Sequence, residues 1–235
     1  VRLLGNASTA GEVASSLAAA ALTSGEAAGT GEERVDSLIQ EANRRVYERS
    51  TEDSDVAGMG TTMTVALVED LHVAFGHVGD SRAYVLRDGT LEQLTNDHSL
   101  VAELVRGGKL SAEEAEHHPQ RSVITRALGT DPDVDVDTFT FEAQAGDVYL
   151  LCSDGLTDMI ADEEIVEVLT APNGRLEDAA NELVRRANRA GGQDNITVVA
   201  FDLTDEPDEQ TVEQVVEQTQ PAPAVAAAAP EPRRE

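Results

Sequence analysis

Three short segments each place an aspartate at a turn, and together they could hold divalent cations. They are Gly-Asp-Ser-Arg at 79–82, Ser-Asp-Gly-Leu at 153–156 and Gly-Gly-Gln-Asp-Asn at 191–195. Asp154 directly follows an apolar run and Asp194 directly precedes one, so the ends of two buried strands would hold both carboxylates rigidly. Oxygen ligands of this kind suit Mg²⁺ or Mn²⁺. Any one segment alone is better interpreted as a turn, and the combination carries the metal-site hypothesis.

Short strands and amphipathic helices must position these aspartates. Apolar residues at spacings of three and four predict helices over 11–22 and 32–49. β-Branched runs separated by turn residues predict strands, interpreted as an antiparallel meander, over 61–68, 71–78, 83–86 and 91–94. Further along the chain we expect strands at 138–142, 148–152 and 196–202, and helices at 162–169 and 176–189.

Two segments differ from this pattern. Residues 99–116 are polar and helical, with a new helix start at Ser111. After Leu203 the chain becomes rich in Glu, Asp and Gln and then in Pro and Ala, which predicts a disordered tail over 204–235. The order of the elements predicts a single α+β domain over 1–203, with sheets packed together and helices outside.

Composition excludes several classes of function. The 45 acidic and 17 basic residues give a formal charge of −28, which repels phosphate backbones and argues against general nucleic-acid binding. Cys152 is the only cysteine, so no intrachain disulfide can form, and its apolar neighbours indicate a core side chain. The sequence has no apolar run of membrane-spanning length and no signal-peptide pattern, so we expect a cytoplasmic protein.

From about residue 11 to 203 the chain resembles the metal-dependent protein phosphatases of the protein phosphatase 2C type. The resemblance lies in short motifs that occur in the family's order. They are Gly-Glu-Val-Ala-Ser at 11–15, Gly-Met-Gly-Thr-Thr at 58–62, Val-Gly-Asp-Ser-Arg-Ala-Tyr at 78–84, Asp-His-Ser at 97–99, His-Pro-Gln-Arg at 118–121, Ile-Thr-Arg-Ala-Leu-Gly at 124–129, Cys-Ser-Asp-Gly-Leu at 152–156 and Asp-Asn-Ile-Thr-Val at 194–198. So many ordered matches are hard to obtain by chance.

The resemblance implies a two-layer antiparallel β-sandwich flanked by helix pairs, with two Mn²⁺ or Mg²⁺ ions at one end. In such bacterial enzymes a metal-activated water attacks the phosphorus of a phosphorylated Ser/Thr protein. Asp154 and Asp194 match the family's metal-ligand positions. Asp97 matches a position associated with a third, weaker metal, and a helix-capping role for it is equally open. The implied protein is a monomer whose partners include phosphoproteins and a cognate Ser/Thr kinase.

Other polar residues of the motifs receive structural interpretations. We expect Asp80 and Arg82 to form a turn and an ion pair rather than to act in catalysis. Residues 99–121 match the mobile flap beside the family's active site. His117 and His118 stand before a proline, where adjacent side chains diverge, and a loop role is favoured over metal binding.

The N-terminal motif departs from the family's pattern. The family has a first strand with a phosphate-binding Arg and an acidic residue, then Asp-Gly-x-Gly-Gly-His, whose Asp bridges both metals. Here Leu3 aligns with that bridging Asp, Asn6 and Ala7 with the Gly pair, and Ser8 with the His, and the first strand is missing. These differences predict a weak or inactive phosphatase of reduced stability. Two origins remain open: a truncated start, or a pseudophosphatase that binds phosphoproteins or a kinase.

Overall fold

A computed structural model describes residues 9–24, 28–172, 174–203 and 215–218 of the chain. The helices are α1 (Thr9–Ser24), α2 (Gly31–Glu52), α3 (Leu100–Arg106), α4 (Ala112–Glu116), α5 (Asp154–Thr157), α6 (Asp162–Leu169) and α7 (Leu176–Ala190). The strands are β1 (Met63–Glu69), β2 (His72–Val78), β3 (Arg82–Arg87), β4 (Thr90–Gln93), β5 (Asp137–Glu142), β6 (Val148–Cys152), β7 (Ile196–Asp202) and β8 (Val215–Gln218). The predicted helices and strands are therefore present, with only their ends shifted.

The strands form two antiparallel sheets, in the orders β1-β2-β5 and β4-β3-β6-β7-β8. Aromatic and β-branched side chains fill the space between them, with Phe75 of the first sheet and Tyr149 of the second 6.2 Å apart between ring centroids. Alternate residues of a strand face opposite sides, so each sheet also has an outer face to cover. Helices α1 and α2 cover the first sheet, and α6 and α7 cover the second. The predicted α+β sandwich is confirmed.

The predicted continuous meander is wrong at one point. Strands β2 and β3 do not pair, because β2 lies between β1 and β5 whereas β3 lies between β4 and β6. The segment between them carries the chain from one sheet to the other. Gly79 makes this passage with a φ of +115°, and a Cβ there would lie 2.4 Å from the Thr62 side chain. A glycine is required for this sharp and close passage.

Residues 215–218, which fall within the segment predicted to be a disordered tail, form β8 and pair antiparallel with β7 from Val199↔Val215 to Ile196↔Gln218. An edge strand such as β7 presents unpaired backbone groups, and a short β-branched segment can satisfy them without burying a large apolar area. Residues 204–214 and 219–235 lie outside the described part of the chain.

Helices α3 and α4 lie in residues 99–121, the segment predicted to be the flap and called so below, and hydroxyl side chains fix where each helix begins. Ser99 caps α3 by accepting from the Ala102 N–H, and Ser111 forms a capping box with Glu114 at the start of α4. The predicted helix start at Ser111 is confirmed. Cys152 is fully buried, as expected for a core side chain. Within the described ranges no helix is both long and apolar enough to cross a membrane.

Candidate metal-binding site

The end of β6 and the start of β7 lie side by side, which brings Asp154 and Asp194 to the same edge of the second sheet. Ser153 Oγ donates to the Asn195 carbonyl at 3.0 Å and accepts from the Thr197 N–H at 3.1 Å. The contact is so close that a Cβ on Gly155 would lie 2.3 Å from the Asn195 oxygen. The short helix α5 then begins at Asp154.

The carboxylates at this edge repel one another. Burial, together with the nearby charges of Asp80, Asp194 and Asp158, raises the pKa of Asp154 to about 7. Burial also raises the pKa of Asp80 to about 6, with contributions from Asp97 and Asp158. Half-buried carboxylates such as Asp154 and Asp80, whose charged forms are disfavoured, are an environment that a divalent cation would stabilise.

Asp80 and Asp158 are the residues that sequence reasoning missed. The sequence predicts a turn at Asp80, and Asp80 does follow the Gly79 turn, but that turn carries it from the first sheet toward Asp154 of the second. Asp158 lies four residues after Asp154, a spacing that places two side chains on the same side of a helical turn. This spacing is the sequence feature from which Asp158 could have been predicted to lie near Asp154.

An open cavity of about 910 Å³ lies between this edge and the flap. Asp80, Asp154 and Asp158 line one side. The flap lines the other side with side chains that include Arg106 and Arg121. The cavity therefore has an acidic side and a side that carries guanidinium groups, and a phosphate ester could lie between them.

The carboxylate of Asp97 also faces this cavity, but Arg82 binds it at two points. Arg82 Nη2 lies 2.7 Å from Asp97 Oδ2 and Nε lies 3.0 Å from Oδ1, while Gln93 Nε2 donates to Oδ1 at 3.0 Å. Arg82 therefore forms an ion pair as expected, but its partner is Asp97 rather than Asp80. The helix-capping alternative for Asp97 is wrong, because Ser99 caps α3. Its role as a metal ligand stays a prediction.

The two adjacent histidines have the loop role expected of them. His117 ends α4 as its C-cap, and His118 Nδ1 accepts from the Gln120 N–H at 3.2 Å. Among the residues whose placement is described, no three or more His, Cys, Asp or Glu side chains are grouped as a metal site would require. The aspartates are thus the correct donors for a hard cation but only part of a ligand set. Leu3, Asn6, Ala7 and Ser8 lie outside the described part of the chain.

Comparison with protein families matches residues 5–197 to protein phosphatase 2C. The chain belongs to this family. It is 45% identical over 168 residues to a phosphatase of Listeria monocytogenes named serine/threonine phosphatase stp, covering 71% of this chain and 66% of that protein. It is 44% identical over 199 residues to the serine/threonine protein phosphatase PstP of Mycobacterium tuberculosis, covering 83% of this chain and 38% of that protein. The chain thus spans less than two thirds of the length of either relative.

Solved structures of the protein phosphatase 2C fold agree with the arrangement of the sheets. The crystal structure of the Mycobacterium tuberculosis serine/threonine phosphatase PstP/Ppp matches with a TM-score of 0.78 and 43% identity, covering 86% of this chain and 85% of that one. The catalytic domain of PstP in complex with two manganese ions matches with a TM-score of 0.76 and 40% identity, over the same shares of the two chains.

Proposed function

We propose that this chain is a metal-dependent phosphatase of phosphorylated Ser/Thr proteins. The observation that carries the proposal is the half-buried pair of Asp154 and Asp80, whose pKa values are raised to about 7 and about 6 within a protein phosphatase 2C fold. Keeping several carboxylates together and half-buried is unfavourable unless a cation binds them. The related PstP catalytic domain, solved with two manganese ions, supports Mn²⁺ or Mg²⁺ as that cation.

Asp154 and Asp194 would hold the metal, together with Asp80 and Asp158. When bound, divalent cations supply a water of lowered pKa as the nucleophile and neutralise the charge of the phosphoryl oxygens. The chain's own contribution is to place these carboxylates at adjoining strand ends and to close the opposite side of the cavity with the flap. Arg106 and Arg121 of the flap would attract the phosphorylated segment of a substrate.

The domain we propose comprises residues 1–203 with β8 added to its second sheet. The substrates would be phosphorylated Ser/Thr proteins, a cognate kinase would be the natural partner, and a cytoplasmic monomer would suffice for the reaction. Leu3 aligns with the family's bridging aspartate. We therefore expect slower turnover than in relatives that have the complete set of ligands, because outer partners alone are worth about 10–100-fold in metal affinity or activity.

Hydrolysis of a phosphothreonine peptide in the presence of Mn²⁺ tests the proposal. We expect turnover by the unsubstituted chain and a loss of at least about 10–100-fold in Asp154→Asn and in Asp194→Asn. Asp88→Asn removes one charge from an exposed hairpin turn, and it should retain full activity. If the unsubstituted chain binds the phosphopeptide but releases no phosphate even in excess Mn²⁺, the alternative of a phosphoprotein-binding pseudophosphatase replaces the enzyme.

A further inference from the structure

His98 is a buried residue that holds the turn before Asp80. It is only 3% exposed. The ring nitrogen Nδ1 of His98 accepts from the Gly79 N–H at 3.0 Å, and the backbone N–H of His98 donates to the Gly79 carbonyl at 2.7 Å. One residue therefore contacts both polar groups of the glycine that immediately precedes Asp80.

The second ring nitrogen of His98 is bound from the first sheet. Nε2 lies 3.1 Å from Asp137 Oδ2, and the other oxygen of Asp137 accepts from Arg126 at 2.7 Å. A backbone N–H can only donate, so Nδ1 must be unprotonated, and a neutral imidazole then carries its one proton on Nε2, toward Asp137. Arg126 Nη1 also lies 3.1 Å from Nε2, but it donates to Asp137 Oδ1 at 2.7 Å. Burial lowers the pKa of His98, in agreement with a neutral ring. The imidazole is thus fixed in one tautomer and one orientation.

The two ends of the flap also meet at His98. Its carbonyl accepts from the Thr125 N–H at 2.7 Å, and the adjoining Ser99 forms a β-bridge with Ile124. His98 therefore joins the base of the flap, the Asp137 end of β5 and the turn that carries Asp80. Each of these contacts is at normal hydrogen-bond distance.

The glycine turn needs such a contact because its backbone is permissive. Gly79 has a φ of +115°, a conformation that only glycine adopts readily, and a glycine has many other conformations open to it. Thr62 and Ser81 hold the far side of the turn through their hydroxyl groups, which are 3.0 Å apart. On the near side the two bonds of His98 fix the Gly79 peptide, and with it the direction from which Asp80 approaches Asp154.

We propose that His98 is a positioning residue for Asp80: Nδ1 fixes the Gly79 peptide and so holds the Asp80 carboxylate in the metal-binding group. His98 itself touches neither metal nor substrate in this role. The proposal rests on the proposed function, since Asp80 acts there as a metal ligand. In this role the Nδ1 contact with Gly79 is essential for placing Asp80, whereas the Nε2 contact with Asp137 only holds the ring in its orientation.

Two amide substitutions distinguish the role of Nδ1 from the role of Nε2. In His98→Asn the side-chain oxygen takes the place of Nδ1, whereas in His98→Gln the amide nitrogen takes the place of Nε2, and His98→Ala removes both. The first measurement needs no metal: hydrogen exchange of the Gly79 amide. We expect protection in the unsubstituted chain and in His98→Asn, and faster exchange in His98→Gln and His98→Ala. Equal protection in all four proteins would overturn the proposal.

The second measurement is Mn²⁺ affinity by calorimetry. We expect a loss of about 10-fold in His98→Ala and His98→Gln, the lower end of what outer-shell partners contribute, and recovery in His98→Asn. Asp147→Asn is the matched control, because it weakens a buried ion pair with Arg87 away from this site. It should lower the thermal stability without changing Mn²⁺ affinity.

The outcomes distinguish this inference from the function on which it rests. If the unsubstituted chain binds no Mn²⁺, the metal site of the proposed function is refuted, and so is a positioning role toward it, whatever the exchange data show. If Mn²⁺ binds and His98→Asn loses as much affinity as His98→Ala, the positioning role alone is refuted. An equal affinity loss in Asp147→Asn would also refute it, because general destabilisation would then explain the effect.

Discussion

Asp154→Asn should stabilise the metal-free protein at alkaline pH, although it removes a proposed metal ligand. Burial and the neighbouring aspartates raise the pKa of Asp154 from its ordinary 3.8 to about 7. A raised carboxyl pKa means that the folded state retains a proton that the unfolded chain has already lost. Stability therefore falls as the pH rises from about 4 to about 7, and the loss is complete above the folded pKa.

The size of this effect follows from the interval between the two pKa values. At about 1.4 kcal/mol per pH unit, the interval from 3.8 to about 7 corresponds to about 4 kcal/mol at pH 8. Asparagine has the same shape and keeps the oxygen that accepts from the Gly155 N–H at 2.8 Å. For a chain of this size 1 kcal/mol shifts Tm by about 2–4 °C, so Asp154→Asn should raise Tm by up to about 8–16 °C at pH 8.

Thermal unfolding in a chelator, followed at several pH values from 4 to 8, measures this effect. The gain should be largest at pH 8 and vanish near pH 4, where the carboxyl group of the folded protein is protonated. Asp88→Asn controls for the general relief of a −28 charge, because it neutralises an exposed turn residue. Added Mn²⁺ should raise the Tm of the unsubstituted chain and have little effect on Asp154→Asn. A gain that is independent of pH, or one equal to that of Asp88→Asn, would refute the reasoning.

Two further substitutions test the close packing of the site and a buried ion pair remote from it. Gly155→Ala should weaken Mn²⁺ binding and cost about 1–3 kcal/mol, because its Cβ would lie 2.3 Å from the Asn195 oxygen. Gly89→Ala is the control: its φ of +76° makes the substitution destabilising too, but its Cβ would meet no other atom, so Mn²⁺ binding should stay intact. Arg87→Ala should lower the free energy of unfolding, measured in urea, by about 3 kcal/mol, because it leaves the carboxylate of Asp147 without its cation, and that carboxylate is only 1% exposed. A loss below about 1 kcal/mol would contradict this expectation.

The elements of the fold were predictable from local sequence patterns, but their pairing was not. Spacings of three and four identified α1 and α2, and β-branched runs identified the strands. Whether two consecutive strands pair depends on whether the intervening turn closes a hairpin. The Gly79 turn has the glycine of a hairpin turn but carries the chain between sheets, and only the packing of β2 between β1 and β5 decides this. Strand β8 was not predicted because it lies in a segment rich in Glu, Asp and Gln, a composition that does not favour a strand.

In the candidate site, too, contacts between residues from different sheets could not be predicted from local sequence patterns. Asp154 and Asp194 could be paired from sequence because each adjoins an apolar run that predicts a strand end. Asp80 could not, because its nearness to Asp154 arises between the two sheets. The sequence around Asp97 is compatible with metal binding or with helix capping, whereas in the structure its carboxylate accepts hydrogen bonds from Arg82, which lies 15 residues earlier. Local sequence patterns identify the candidate ligands, and the packing of the two sheets determines which of these side chains lie close together.

The carboxylates with the most unfavourable charges, Asp80 and Asp154, come from two different sheets. Asp80 leaves the first sheet and Asp154 the second, so the repulsion that raises the pKa of Asp154 acts between two packed layers. Neither layer can move away freely, because Phe75 and Tyr149 pack between them and Gly155 is in close contact with the start of β7. The apolar core therefore holds together carboxylates that would separate in an open chain, at a cost in stability that a bound cation would reverse. Poor local compatibility of this kind is expected where a fold is shaped by its function.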